Sequence, residues 1–121
     1  MLQGATEFNG TISDWDTGGV TIMSIMFQGA YTFNDEVLDW DTVVVTDMSY
    51  MFFETSEFNG NISGWDIAGV TDMTAMFQRA SEFDGDILSW DTAGVTDMTD
   101  ITKSGILGGI VFLIQLTPSE A

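Results

Sequence analysis

Phe8, Phe33, Phe58 and Phe83 lie 25 residues apart, and nearly everything between them keeps the same step. Trp15, Trp40, Trp65 and Trp90 repeat in register, each followed by an aspartate: Asp16, Asp41, Asp66 and Asp91. Val20-Thr21, Val45-Thr46, Val70-Thr71 and Val95-Thr96 come next, with Met23, Met48, Met73 and Met98 two residues further on. A fixed period of this size is the mark of a solenoid, in which each unit is too small to bury its own apolar side chains and must stack on its neighbours. Residues 1–100 hold four such repeats, and residues 101–121 form a divergent C-terminal cap or tail. Met1 is in phase with Met26, Met51 and Met76, so the array begins in mid-repeat.

Within one unit two spacings follow each other. Ile62, Trp65 and Ile67 end in an alternation that reads as a short strand, with Trp65 facing inward and Asp66 outward. Small residues follow (Gly18-Gly19, Ala68-Gly69, Ala93-Gly94), the natural place for a turn. Met73, Met76, Phe77 and Ala80 then recur at the i, i+3, i+4, i+7 spacing of an amphipathic helix of about two turns. Thr71 is placed as its N-cap, and Asp47, Asp72 and Asp97 fall in the first turn, where the helix dipole favours an anion. The expectation is therefore an α/β repeat: a leucine-rich-repeat-like solenoid with one short parallel strand and one two-turn helix per 25 residues.

Composition narrows the function. Nineteen acids against two bases give a net charge of −17, and 18 of the acids precede residue 101, opposed there only by Arg79. Such a surface repels nucleic acid and anionic lipid and attracts cations or basic protein surfaces. The chain has no cysteine and no histidine, which removes disulfides, thiolate metal sites, lipidation and the commonest general base. The carboxylates recur with the repeat instead of converging as a unique pair, and no nucleophile–base or phosphate-loop arrangement exists, so an enzyme is not expected. Residues 1–5 have neither the basic start nor the apolar run of a signal peptide. The apolar run Gly105–Leu116 is shorter than the ~20 residues a membrane helix needs; it reads as a capping strand, with a truncated membrane anchor as the alternative.

The run Phe58-Asn59, Ile62-Ser63, Trp65-Asp66, Val70-Thr71-Asp72-Met73, Met76-Phe77 resembles the 25-residue repeat of BspA-like surface proteins, a unit shared with mycoplasma-type surface lipoproteins. The resemblance covers residues 1–100. It implies a leucine-rich-repeat-like solenoid, extracellular or cell-surface placement, and a role in adhesion or protein binding.

The residues point to two functional readings. In the first, Asp16, Asp41, Asp66 and Asp91 form an outward column flanked by Asp14 and Asp39, an acidic face for a protein partner with a basic surface. Neighbouring carboxylates ~5 Å apart repel by about 1 kcal/mol in water, so something must offset them: turn amides just after each aspartate, or bound calcium. In the second, the columns serve a calcium-binding or lattice-binding structural solenoid, with Thr17, Thr42 and Thr92 facing an ordered surface. Asn9, Asn34, Asn59 and Asp84 form a further column, expected to hydrogen-bond backbone groups within the stack.

Overall fold

The computed structural model describes residues 2–85, 87 and 89–101. Each repeat forms one coil, and successive coils stack in parallel register. No helix and no extended strand occurs among the described residues; the only sheet pairings are single parallel bridges, Ile22 to Asp47, Asp47 to Asp72 and Asp72 to Asp97. The expected strand-and-helix unit of leucine-rich-repeat type is thus overturned. The coil is built from β-turns instead. In the third repeat they close at Thr55–Phe58, Ile62–Trp65, Ile67–Val70, Met73–Met76, Phe77–Ala80 and Ala80–Phe83, each by an N–H donating to the carbonyl three residues back.

The segment expected to be helical shows why. In residues 48–55 the N–H groups of Met48, Tyr50, Phe52 and Glu54 donate to Asp72, Thr74, Met76 and Gln78 of the next coil at 2.8–3.0 Å. The N–H groups of Met51, Phe53 and Thr55 close turns onto Met48, Tyr50 and Phe52. The remaining amide, that of Ser49, donates to the Asp47 carboxylate at 2.9 Å. Every backbone donor is used, as a packed segment requires, but in an alternation that no helix allows. Left-handed φ values at Tyr50 (56°) and Glu54 (59°), repeated at Ala75 (52°) and Arg79 (64°), enforce it. Each falls at the third position of its turn, where a type II turn needs positive φ. A non-glycine residue there costs ~1–2 kcal/mol, an amount the inter-coil hydrogen bonds offset.

The first and fourth residues of the turns 48–51, 52–55, 73–76 and 77–80 point inward, whereas the Tyr50–Phe53 turn that links the first two leaves Tyr50 exposed. Two abutting turns, 73–76 and 77–80, therefore bury Met73, Met76, Phe77 and Ala80, the same set a helix would bury. The core is an aromatic stack running the length of the described coils. Phe8, Phe33, Phe58 and Phe83 stack in one file at centroid distances of 6.1, 5.9 and 5.9 Å. Phe27, Phe52 and Phe77 form a second file, packed against the first at 4.2–4.6 Å. Trp40 and Trp65 stack at 6.4 Å with their planes within 1°, whereas Trp90 meets the ring of Phe77 at 6.4 Å. Gly60 stands in a tight place: a methyl group there would meet the Phe58 ring at 2.8 Å and the Asp35 carbonyl at 3.1 Å, although the same slot of the preceding coil holds Asp35. The capping or anchoring role read for 105–116 lies outside the described residues.

Candidate functional site

The β-turn Ile62–Trp65 ends with Trp65 buried and hands the next residue, Asp66, to solvent. The same step places Asp16, Asp41 and Asp91 outward, and Asp14 and Asp39, at the third positions of their own turns, are exposed as well. All six aspartates singled out from the sequence thus lie on the surface. The inward–outward assignment of Trp65 and Asp66 agrees with the sequence reading, although a turn and not a strand produces it.

Each column carboxylate is held by its own chain. Oδ1 of Asp16, Asp41, Asp66 and Asp91 accepts the N–H of Gly18, Val43, Ala68 and Ala93 at 3.0–3.1 Å. These are Asx-turns, and they supply one of the two compensations for carboxylate repulsion that the sequence called for. Gly18 lies between two of the acids, with its missing Cβ 3.4 Å from Asp41 Oδ2 and 3.5 Å from Asp16 Oδ1. Among the described residues no three acidic side chains converge into a group that could hold a metal ion.

A second acidic file emerges where the sequence reading placed helix N-termini. Asp47 and Asp72 sit on the parallel bridges, and Oδ1 of each accepts both the amide and the hydroxyl two residues on, from Ser49 (2.9 and 2.7 Å) and Thr74 (2.9 and 2.7 Å). Asp97 accepts the Thr99 amide at 3.0 Å. That bond, with those from the Thr99 and Thr74 hydroxyls, holds its carboxyl below the ordinary carboxylate value, against a small opposing effect of desolvation. The recurring Asp-Met-Ser/Thr triplets are the sequence signal for this file. The threonines read as N-caps act differently: Thr46, Thr71 and Thr96 donate their hydroxyls to the carbonyl of the matching threonine one coil earlier, at 3.2–3.3 Å.

Two other columns divide. The asparagine ladder is present: Oδ1 of Asn9, Asn34 and Asn59 accepts the N–H of Asn34, Asn59 and Asp84 at 2.9, 2.8 and 3.1 Å. The Thr17, Thr42 and Thr92 column, read as a possible lattice-facing surface, is buried. Thr17 Oγ1 accepts the Asp41 N–H at 3.0 Å, and Thr42 Oγ1 donates to the Asp66 carbonyl at 2.9 Å. Buried Ile67 fills the same slot, so the column packs inward and cannot face an ordered surface.

One concavity adjoins the acidic face. Trp15, Asp16, Thr17, Val20, Met23 and Met26 line a groove of about 330 Å³ at the first coil. Nothing in the periodicity marks it, because the counterparts of Trp15, Val20, Met23 and Met26 in every later coil are core residues.

Taken together, the fold and its outward columns define a solenoid of stacked turns with fixed carboxylate files. A family model described as "Mycoplasma protein of unknown function, DUF285" matches residues 1–105, and the chain belongs to that family. No curated protein and no solved structure matches the chain. No helix among the described residues is long and apolar enough to cross a membrane.

Proposed function

We propose that the chain is a non-enzymatic recognition or adhesion module that presents its carboxylate files to a basic surface on a protein partner. The observation that carries this reading is the fixing of Asp16, Asp41, Asp66 and Asp91 by Asx-turns at one-coil intervals. Charges held in place by the backbone lose little conformational freedom when a partner meets them. In residues 1–100 the chain offers a single cation, Arg79, which is engaged with Glu54 at 3.2 Å. The likeness to BspA-like surface repeats supports an extracellular or cell-surface setting for such binding.

Binding to a panel of basic proteins, followed against ionic strength, tests the reading. Association that weakens steadily as salt is added is the expected result. Association indifferent to salt, or none, contradicts it.

A further inference from the structure

We propose that Leu38, Val43 and Val44, outward on the second coil, are the apolar anchor on which the basic partner docks, met by a surface of that protein where lysine or arginine side chains ring an apolar patch. The proposal rests on the acidic-face reading above and names where on that face the partner is gripped.

In the run 37–45 the buried residues are Val37, Trp40, Thr42 and Val45, and the exposed ones are Leu38, Asp39, Asp41, Val43 and Val44. Coils lie on both sides of this run: the Asp41 amide donates to Thr17 Oγ1 of the coil before, and Thr42 Oγ1 donates to the Asp66 carbonyl of the coil after. Its exposure is therefore that of the solenoid's flank and not of an end. On the adjoining coils the same slots hold small residues. Ser13 and Ser63 match Leu38, Gly18 and Ala68 match Val43, and Gly19 and Gly69 match Val44.

The turn does not call for the larger side chains. Val43 and Val44 are the central residues of the Thr42–Val45 turn, and the same bond closes Thr17–Val20 and Ile67–Val70, where glycine or alanine takes their place. Neither valine nor its glycine counterparts have a left-handed φ, so the backbone accepts both. The valines are 51% and 42% exposed and add little to the core. Leu38 leans toward the third coil, its Cδ1 3.3 Å from where a methyl group on Gly64 would stand. Single exposed apolar residues are ordinary, whereas three within one run form a patch. The third coil, 56–80, exposes no large apolar side chain to this degree.

The acids define the occupant. Val43 donates its amide to Asp41 Oδ1 at 3.1 Å. Asp39 and Asp41 share the run, and Asp16 and Asp66 flank it one coil away on either side. An apolar centre inside a charged rim is how protein interfaces concentrate their binding energy. Against these carboxylates a positively charged rim is complementary. A second copy of this chain, at −17, is repelled.

The test uses two synthetic peptides of identical leucine and lysine content, titrated calorimetrically into the full chain at several temperatures. One gathers its leucines on a single helical face between lysines, and the other has the order scrambled; the first should bind more tightly. The triple substitution Leu38→Ser, Val43→Ala, Val44→Gly gives the second coil the residues of the third. It should weaken the facial peptide about tenfold or more and make the heat-capacity change of binding less negative. Val43→Thr with Val44→Thr, which keeps the shape, should weaken it in the same direction. Tyr50→Ala removes an exposed apolar side chain outside the run, at a slot that is alanine in the next coil, and should change binding less than about twofold. Equal binding by the parent and the triple variant, or a loss that follows Tyr50 instead, overturns the anchor, while salt-sensitive binding by both proteins leaves the acidic-face reading standing. Failure of both peptides to bind also overturns it, and the basic-protein panel then decides the broader reading independently. A concentration-dependent dimer in sedimentation that the triple substitution abolishes would assign the patch to a second copy and contradict the proposal.

Discussion

Trp15 and Trp65 occupy the same position of the same repeat, yet Trp15 is 39% exposed and Trp65 4%. Their neighbours in sequence are alike: Asp16 and Asp66 follow them, and Val20 and Val70 come five residues after the tryptophans. What differs is the cover on the N-terminal side: Trp40 stacks on Trp65 at 6.4 Å, and no described residue takes that place over Trp15. Burial in this molecule is thus a property of the stack and not of the unit, and an identical residue is core in one coil and surface in another.

The largest effect expected from this contrast is in the tryptophans. Trp65→Ala should cost about 3–5 kcal/mol in denaturant unfolding, since it opens a cavity and strands the Val37 carbonyl. Trp15→Ala should cost about 1 kcal/mol or less. Equal losses would remove the distinction between end and interior. The glycines sharpen it at the next level. Gly60→Ala drives a methyl group into the Phe58 ring and the Asp35 carbonyl and should cost about 1–3 kcal/mol. Gly19→Ala, with open space around it, should stay within about 0.5 kcal/mol of the parent.

Smaller effects belong to the columns. Asp66→Asn keeps an Oδ1 acceptor for the Ala68 amide and should be close to neutral, whereas Asp66→Ala loses the Asx-turn and should cost about 1 kcal/mol. The smallest effect is that of Asp97. Its folded-state pKa lies below the unfolded value of ~3.9. Its contribution is therefore fully present above that value and is lost as pH falls through the folded value. Asp97→Asn should flatten the fall in melting temperature between pH ~5 and ~2 slightly. A steeper fall in the variant would reverse the sign of that coupling.

Much of this could be read from residues alone, and the exceptions share one cause. Turn ends recur at steps of three and one, so Met73, Met76, Phe77 and Ala80 lie inward whether the chain between them is a helix or a pair of abutting turns. The apolar pattern fixes which side chains are buried without fixing the backbone that buries them. The decisive difference is the left-handed backbone at Tyr50, Glu54, Ala75 and Arg79; Gly4 and Gly29, which stand in the slot of Glu54 and Arg79 with φ of 73° and 74°, are its sign in the sequence, and Gly29 reads equally well as the stop of a helix. The exposed aspartates, their Asx-turns and the asparagine ladder were legible because each depends only on a polar side chain recurring once per coil. The buried threonine column was not, since threonine suits a solvated face and a hydrogen-bonded core equally well. Only Ile67 at the same slot hinted at its direction. The groove was invisible because its apolar walls, Trp15, Val20, Met23 and Met26, stand at positions that are core in the other coils.

The central claim is that alternate amides of each coil bond to the next coil and not along their own segment. Through-hydrogen-bond NMR coupling at Tyr50 tests it most directly. The account predicts a correlation between the Tyr50 amide nitrogen and the carbonyl carbon of Thr74, one coil away, where the N–H···O distance corresponds to 2.8 Å between heavy atoms. A correlation to the carbonyl of Thr46, four residues back as in an α-helix, would contradict it.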